Sequence, residues 1–345
     1  MTSVVEQPAQ PADVLPPPPP MAMTGMITGG LWITKSLGVV AELGVADHLA
    51  SGPAPVAALA EASGVRPDTL YRLLRALASV GVFAETPDGL FTHTPLSETL
   101  RSDVPGSLRP MAILWSNAEH WLAWSQFTDV VRTGQSGFEL AFGQPLFAFF
   151  AERPVEAELF NQSMTAFSAQ EADAVAGAYD FSALRTLVDV GGGHGLLLRS
   201  IVRHHPSVRG VLYDLPTVIE SAPAFEADGS LRAVAGNFFE SVPEGADGYL
   251  LKNILHDFQD AEAIQILSNC RRAMAADGRV LVVQEVLPPG NAPSVGKLMD
   301  MQMMLIGGKE RTEGEYRALF EAAGLRFGRV LPTPSPLHII EATAA

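Results

Sequence analysis

The sequence predicts an α/β protein, in which a doubly wound, largely parallel sheet domain follows a mostly α winged-helix domain. Short, mostly apolar segments at 187–190, 210–213, 249–251 and 280–283 alternate with helical stretches. This alternation is typical of parallel strands that are covered by helices on both faces. Upstream, a helix, a turn, a second helix and a hairpin follow one another, and 345 residues are enough for two domains.

Composition and charge argue against several classes of protein. No apolar run approaches the about 20 residues that cross a bilayer, so we expect no membrane association. The net charge of −15 argues against a nucleic-acid partner, because nucleic-acid surfaces bind clustered Lys and Arg. The chain has one cysteine, Cys270, which fits the reducing cytoplasm. Because Cys270 ends an apolar helical run, we interpret it as a buried residue and not as a nucleophile.

The chain begins with a proline-rich segment, residues 1–20, that contains five consecutive prolines. Such a segment cannot build a core, and it lacks the apolar region of a secretory signal, so we expect a disordered tail. Residues 21–44 are apolar with helical spacing. An apolar helix outside a closed core needs a partner surface, and we therefore expect a homodimer.

The winged-helix domain is predicted at residues 21–105. A short helix from Val56 ends at Gly64, and Pro67 opens a second helix, where its missing N–H is tolerated. One face of that second helix carries leucines at helical spacing, namely Leu70, Leu73, Leu74 and Leu77. Two short apolar runs around a Pro87–Gly89 turn then predict a hairpin.

Residues 106–180 read as a helical linker that is rich in large aromatic side chains. Most of these rings are expected in the core. Their density exceeds the needs of a linker, so we expect some of them to line a pocket for a flat ligand. The sheet domain is predicted at residues 181–345, where two further strands near residues 326–330 and 337–341 close the chain.

The glycine-rich turn Gly191-Gly192-Gly193-His194-Gly195 follows the first strand of that domain and leads into a helix. In doubly wound folds this turn carries the ligand, because glycine lets the backbone approach closely. The third glycine of a nicotinamide fingerprint is missing, and no Lys-Ser or Lys-Thr follows as in a phosphate-binding loop. The turn therefore favours a cofactor with an amino-acid end over one with phosphates. A purely structural turn is the alternative.

Asp214 ends the second strand, 19 residues beyond Gly195. An acidic group at this place can accept hydrogen bonds from both ribose hydroxyls of a nucleoside. The alternative is a cap for the helix that follows, since Asp is a favoured capping residue.

Five motifs in this order resemble the caffeate/flavonoid-type O-methyltransferases, whose bacterial members modify secondary metabolites. The resemblance spans about residues 25–342 and rests on Val188–Gly195, Tyr213–Pro216, Gly236–Phe239, Leu251–Phe258 and Gly307–Thr312. It implies a winged-helix dimerisation domain, a helical linker with a substrate lid, and a Rossmann-like methyltransferase domain that binds S-adenosyl-L-methionine and releases S-adenosyl-L-homocysteine.

The resemblance also implies the cofactor contacts. It places the methionine end at Gly191 and Gly193, the ribose at Asp214, the adenine at Asn237 and Phe238, and Lys252 near the cofactor edge. The sequence departs from the family at Asn237, where Asp is usual. An amide oxygen still reaches the adenine amino group, but the charge-assisted bond is lost.

His256 follows the strand at 249–251, and the resemblance makes it the general base that takes the hydroxyl proton. Glu285 and Glu310 match family acids that flank this histidine, where a carboxylate bonded to the imidazole would fix its tautomer. The alternative is that Glu285 and Glu310 are solvated acids in loops. We expect Asp257 to be a helix cap whose side chain points away.

The substrate is expected to be a small aromatic molecule with a phenolic hydroxyl. Family matches indicate Phe160, Asn161 and Met164 as the substrate lid. Asp300 is an acid within an apolar helix, and we expect it to face the substrate. The weaker candidates are Trp115, His120, Met299 and Met303. No metal is expected, because His194, His204 and His205 lack Cys or carboxylates at ligand spacing.

The function that these observations predict is transfer of a methyl group from S-adenosylmethionine to a hydroxyl of a small-molecule secondary metabolite. One alternative is a relative that binds the same cofactor and acts as a hydroxylase, decarboxylase or cyclase. Another is a transcription regulator, because the winged helix carries Arg66, Arg72 and Arg75.

Overall fold

The N-terminal region has the predicted winged-helix layout. A computed structural model describes residues 19–20, 22–169, 171–223 and 229–345. The predicted tail, residues 1–20, lies outside the described residues except for its last two. The elements are helices α1 (Ala22–Glu42), α2 (Val45–His48), α3 (Val56–Ser63), α4 (Pro67–Ser79) and α5 (Pro95–Glu98), and strands β1 (Ala54–Pro55), β2 (Phe83–Glu85) and β3 (Leu90–His93).

The turn signals of this region act where the sequence predicts. Gly64 ends α3 in the left-handed conformation with φ 68°, and Pro67 occupies the first turn of α4. The buried face of α4 consists of Leu70, Leu74 and Leu77. The strands form a small sheet in the order β1-β3-β2. Leu73, which the sequence also assigns to the buried face, is half-buried.

The predicted helical linker consists of seven helices. These are α6 (Arg109–Ser116), α7 (Ala118–Ser125), α8 (Phe127–Thr133), α9 (Gly137–Phe142), α10 (Leu146–Ala151), α11 (Pro154–Ala169) and α12 (Ala172–Ala178). Phe138, Phe149 and Phe150 form a small core here, with Phe160 packed against it. Several aromatic side chains of this segment are therefore structural, as expected.

The sheet domain contains the four predicted central strands and the two predicted closing strands. Its strands are β4 (Thr186–Val190), β5 (Arg209–Asp214), β6 (Leu231–Ala235), β7 (Gly248–Lys252), β8 (Arg279–Gln284), β9 (Val286–Leu287), β10 (Arg311–Thr312), β11 (Leu325–Pro332) and β12 (His338–Ala344). Seven of them form one sheet in the order β11-β12-β8-β7-β4-β5-β6, and β9 pairs with β10. Strands β6, β5, β4, β7 and β8 run parallel, while β12 and β11 run antiparallel to their neighbours.

Strand β6 was missed by the sequence analysis. It lies at the edge of the sheet, and its residues are half-buried or exposed, so it lacks the continuous apolar run of a central strand. The order of the sheet reverses around β4, because β5 lies on one side and β7 on the other. Ligands of such sheets bind at this reversal, outside the carboxyl ends of the strands.

Helices cover both faces of the sheet. They are α13 (Leu196–His204), α14 (Pro216–Ser221), α15 (Asp260–Ala273), α16 (Gly296–Ile306) and α17 (Glu313–Ala322), with 3-10 turns at Phe181–Ala183 and Leu255–Asp257. Side chains that alternate along β7 enter two separate cores: Tyr249 and Leu251 enter one, and Leu250 enters the other. Cys270 is buried in the first core, as predicted. The predicted fold class is confirmed, while the predicted domain boundaries stay a prediction.

Within the described residues, no helix is both long enough and apolar enough to cross a membrane.

Candidate active site

The glycine turn after β4 requires glycine at its first position for two reasons. Gly191 has φ 70°, and a Cβ there would stand 2.5 Å from Ile254 Cδ1 and 3.3 Å from Phe238 Cε1. Gly193 has φ 58°, but a Cβ there would meet no atom within 4 Å. The turn is therefore packed on the inside at Gly191 and open at Gly193.

Asp214 lies directly against this turn. Its Oδ2 accepts a hydrogen bond from Gly193 N at 2.8 Å, and its Oδ1 accepts one from Leu215 N at 2.7 Å. Burial raises the pKa of Asp214 against the lowering effect of these two bonds. Helix α14 has Leu215 at its N-cap position, so Asp214 is not the cap of that helix. The carboxylate thus stands where a ribose acceptor is expected.

Asn237 and Phe238 follow β6 at the same edge. Asn237 Oδ1 accepts a hydrogen bond from Phe239 N at 3.0 Å, which leaves its Nδ2 3.3 Å from Glu240 Oε1. An Asp at this position would accept the same backbone bond through one of its oxygens. The ring of Phe238 packs edge-on against Phe258 at 5.9 Å. Both residues predicted for adenine therefore lie near the glycine turn's edge of the sheet.

Lys252 ends β7 and is buried. Its Nζ lies 3.0 Å from Glu171 Oε2 and donates to Ser168 Oγ at 3.2 Å. Both Glu171 and Ser168 belong to the helical segment before the sheet domain. The sequence predicts Lys252 near the cofactor edge, but no motif in the sequence pointed to either of these partners.

His256 lies in the 3-10 turn after β7 and bonds to Glu310. Its Nδ1 lies 2.6 Å from Glu310 Oε1, and the side chains of the two residues are 14% and 3% exposed. Because the carboxylate only accepts, Nδ1 carries the proton and Nε2 keeps a free lone pair. Burial lowers the pKa of His256, but the charges of Asp257 and Glu310 outweigh it, and the pKa is raised overall.

Asp257 is not the helix cap that the sequence analysis expects. Its Oδ1 lies 3.5 Å from His256 Nε2, and the N-cap of α15 is Gln259, which forms a capping box with Glu262. Burial raises the pKa of Asp257 to about 6, against the lowering effect of His256. The side chain points to the imidazole because the 3-10 turn, and not α15, contains Asp257.

Glu285 does not bond to the imidazole in this structure, in contrast to the expectation that both acids flank it. Its Oε1 accepts from Ser294 Oγ at 2.6 Å and from Gly296 N at 2.9 Å. A Cβ on Gly296 would stand 2.5 Å from the Glu285 carboxyl carbon, so the acid packs tightly on the start of α16. Glu285 anchors this helix, and Glu310 alone holds Nδ1.

Asp300 also has a partner other than the expected one. Its Oδ1 accepts a hydrogen bond from Glu310 N at 2.8 Å, so it fixes the backbone of the acid that holds His256. Met303, a candidate for the substrate wall, is buried in the protein interior with 6% exposure.

A cavity of about 540 Å³ lies between the N-terminal helix, the linker and α16. Its wall includes three of the four weaker candidates, Trp115, His120 and Met299. The other lining residues are Gly30, Leu31, Thr34, Trp121, Trp124, Val295, Leu298 and Gln302. Phe160, Asn161 and Met164, the predicted lid, belong to α11 and are not among its lining residues.

Two polar groups of this cavity lack partners among the described residues. His120 Nε2 and Trp121 Nε1 are buried without a hydrogen bond. Burial lowers the pKa of His120 against the raising effect of Gln302, which favours the neutral imidazole. A neutral imidazole and an indole N–H in an apolar wall are suited to the polar edge of a flat ligand. The sequence signal for this wall was the spacing of Trp121 and Trp124 along one face of a helix.

A search of the described residues finds no group of three or more His, Cys, Asp or Glu side chains that could hold a metal ion.

Comparison with known proteins gives matches over nearly the whole chain. An O-methyltransferase domain matches residues 124–326, and an O-methyltransferase dimerisation domain matches residues 26–103. A phenazine O-methyltransferase of Lysobacter antibioticus is 44% identical over 322 residues, which are 92% of this chain and 94% of that protein.

Solved structures of similar proteins contain the cofactor or its product. A methyltransferase of calicheamicin biosynthesis in its SAH-bound form is 37% identical, with a TM-score of 0.84 over 94% of this chain and 98% of that one. An O-methyltransferase from neocarzinostatin biosynthesis, in complex with S-adenosylmethionine and 2-hydroxy-5-methyl naphthoic acid, is 32% identical. Its TM-score is 0.74 over 91% of this chain and 96% of that one.

Proposed function

Because this chain belongs to the O-methyltransferase family, we propose that it moves a methyl group from S-adenosylmethionine to a phenolic hydroxyl of an aromatic secondary metabolite. The family and the enzyme class that the sequence predicts are confirmed by the two domain matches. The cofactor, the aromatic substrate and the homodimer are proposals. The observation that carries the mechanism is the 2.6 Å contact between His256 Nδ1 and Glu310.

The residues at the sheet edge fit the proposed cofactor. The turn at Gly193 is open, Asp214 supplies two carboxylate oxygens for a ribose, and Phe238 offers an aromatic face near the adenine position. No Lys-Ser or Lys-Thr pair follows the turn as it would in a phosphate-binding loop, and the third glycine of a nicotinamide fingerprint is missing. The calicheamicin and neocarzinostatin relatives, which bind SAH and S-adenosylmethionine, support the same assignment.

S-adenosylmethionine supplies an electrophilic methyl group on a sulfonium. The protein contributes position and a base. We propose that His256 Nε2 takes the hydroxyl proton as the oxygen gains the methyl group, while Glu310 keeps the tautomer and stabilises the imidazolium. Asp300, on α16, fixes the backbone of Glu310, and Glu285 anchors the start of that helix. The remainder of the rate enhancement comes from holding the hydroxyl oxygen of the substrate in line with the methyl group.

The cavity supports a flat aromatic substrate. Three tryptophans and Met299 provide an apolar wall, and a naphthoic acid occupies the neocarzinostatin relative. The unpartnered His120 Nε2 and Trp121 Nε1 favour a substrate that carries an additional polar group on its ring system. The alternative reading, a relative with non-methylating chemistry, is not favoured by the family match.

The test combines a panel of phenols with cofactor that is labelled in the methyl group. Label should appear in an aryl ether, as detected by mass spectrometry. His256→Ala should lower turnover by about two to four orders of magnitude, with little change in the affinity for S-adenosylhomocysteine. An acidic phenol should partly rescue the variant, because it supplies its own phenolate.

The matched control is His204→Ala, because His204 is an exposed histidine at the end of α13 that bonds only within its own helix. It should leave turnover unchanged. Transfer of no label to any phenol would contradict the proposed substrate class. If His256→Ala turns over an unactivated phenol at the normal rate, His256 does not act as the general base.

A further inference from the structure

A buried ion pair joins the helical segment to the edge of the sheet. Lys252 Nζ and Glu171 Oε2 are 3.0 Å apart, and the two side chains are 7% and 6% exposed. Glu171 Oε2 has no well-aligned hydrogen bond among the described residues, although it faces the ammonium group. A pair of this kind is costly to bury, and a protein interior seldom retains one for stability alone.

The pair stands beside the glycine turn. Strands β4 and β7 are parallel neighbours, with Asp189 opposite Leu250. Gly191 follows directly on β4 and Lys252 ends β7, so both lie at the carboxyl edge of these neighbouring strands. A second contact of the same helical segment reaches the turn itself, because Thr165 Oγ1 lies 3.1 Å from His194 Nδ1. Thr165, Ser168 and Glu171 thus lie near the proposed place of the methionine end.

The methionine end of the cofactor is a zwitterion. Its α-ammonium and α-carboxylate share one carbon atom, so the two charges are as close together as those of a protein ion pair. Each charge needs an opposite partner once it leaves water. Beside Gly191, the carboxylate of Glu171 and the ammonium of Lys252 provide one partner for each.

We propose that Glu171 binds the α-ammonium of the cofactor while Lys252 binds its α-carboxylate, so that binding exchanges one internal ion pair for two. The inference rests on the proposed function, since it requires S-adenosylmethionine or its product at the glycine turn. It adds Glu171 as the residue that binds the ammonium, and no sequence motif points to Glu171. Ser168, the other partner of Lys252, keeps the lysine oriented toward the turn.

Two other acids near the glycine turn are less suited to the ammonium. Asp189 is 2% exposed and packs under the turn, with its Oδ2 2.5 Å from where a Cβ on Gly192 would stand. Burial raises the pKa of Asp189 to about 7, so part of it is uncharged near neutral pH. Asp214 is held by Gly193 N and Leu215 N and faces the ribose position.

The overall charge also favours an acid at residue 171. The cofactor brings a sulfonium and an ammonium, which are both cationic, to an edge that already holds Lys252. Without Glu171, the repulsion among these cations would oppose binding at low dielectric.

The first test uses the wild-type protein. Calorimetry would compare S-adenosylhomocysteine with two analogues, in which hydrogen replaces either the α-amino group or the α-carboxylate. Each analogue should bind at least about tenfold more weakly, because each lacks one charge-assisted bond. This comparison needs no substitution and therefore does not depend on the folding of any variant.

The second test assigns each charge to its residue. Glu171→Gln should weaken the binding of S-adenosylhomocysteine by about tenfold or more. It should hardly change the affinity for the analogue without the amino group. Lys252→Met should show the same selectivity for the analogue without the carboxylate. Asp173→Asn is the matched control, because Asp173 is an acid in the next helix turn that is 70% exposed and pairs with Arg203 instead.

If a single variant fails to fold because it leaves one buried charge unpaired, Glu171→Gln combined with Lys252→Met removes both charges. This double variant should lose the preference for S-adenosylhomocysteine over either analogue. Equal or tighter binding by Glu171→Gln would overturn the proposal, since Glu171 would then only compete with the cofactor carboxylate for Lys252. If wild-type protein binds no S-adenosylhomocysteine, the proposed cofactor itself is wrong, which is a separate result.

Discussion

At the scale of single residues, the site depends on how His256 is charged. Burial favours the neutral imidazole, whereas Asp257 and Glu310 favour the imidazolium and raise the pKa overall. Only the neutral form accepts the hydroxyl proton. The rising limb of kcat/KM against pH should therefore lie above the ordinary histidine value of about 6.5.

Glu310→Gln tests this balance. Removing the carboxylate removes a contribution that raises the pKa of His256, so the rising limb should move to lower pH while the maximal rate falls. The pH profile should be measured with a phenol that stays un-ionised throughout the range. Glu313→Gln is the control, since Glu313 is an exposed acid three residues away that pairs with Arg317. An unchanged limb in Glu310→Gln would show that Glu310 does not govern the imidazole.

Sequence reasoning located these residues more reliably than it assigned their hydrogen-bond partners. The motifs located His256, Glu285 and Glu310 at one edge of the sheet, but spacing alone does not decide which acid reaches the ring. Glu285 bonds to the start of α16, and the preference for Glu310 arises from the packing of that helix. Asp257 was assigned to a helix cap, but it is the last residue of the 3-10 turn. The chain becomes extended at Phe258, so Asp257 is separated from the helix that follows.

At the scale of elements, one buried arginine ties the segment of His256 to the segment of Glu310. Arg311 is 0% exposed and donates to three backbone carbonyls: Leu255 O at 2.7 Å, Phe258 O at 2.8 Å and Lys309 O at 3.2 Å. These carbonyls flank His256 on one segment and precede Glu310 on the other. Its guanidinium also bonds to Asp260 at 2.8 Å.

Arg311→Lys should therefore disturb catalysis as well as stability. A lysine ammonium cannot span the carbonyls as the planar guanidinium fork does, so we expect a loss of about 3–5 kcal/mol in the free energy of unfolding. In the folded fraction, kcat should fall and the rising pH limb should shift, while the affinity for S-adenosylhomocysteine stays the same. Arg317→Lys, on the exposed face of α17, is the control. A variant with lower stability but an unchanged kcat and pH limb would make Arg311 purely structural.

The elements themselves were largely readable from sequence. Central strands such as β4 and β7 are mostly apolar because both of their faces are buried, and the winged helix is marked by Gly64 and Pro67. Strand β6 was not readable, since an edge strand with exposed residues has no such pattern. The contribution of α1 to the cavity was also hidden, because contact between distant segments leaves no local motif.

At the scale of the whole molecule, α1 presents apolar side chains to solvent in the single chain. Ile27 is 69% exposed, Trp32 64%, Met26 63%, Met23 59% and Leu31 51%. Contiguous apolar surface of this kind needs a partner, and a dimerisation domain matches residues 26–103. A second copy of the chain is the occupant that we propose. Light scattering should then give a mass of twice 36.7 kDa.

The same helix connects assembly with substrate binding, because Gly30, Leu31 and Thr34 line the cavity beside Trp115 and Met299. Ile27→Asp places a charge on the exposed face without removing a cavity residue. It should shift the mass toward that of one chain. Because α1 then loses its support, KM for the aromatic substrate should rise, while the affinity for S-adenosylhomocysteine, which we propose binds at the glycine turn, should remain unchanged. Val155→Asp, at a 79% exposed apolar position on α11, should change neither quantity. A monomeric Ile27→Asp protein with an unchanged KM would separate dimer formation from the cavity, and a wild-type monomer at micromolar concentration with normal activity would refute the dimer.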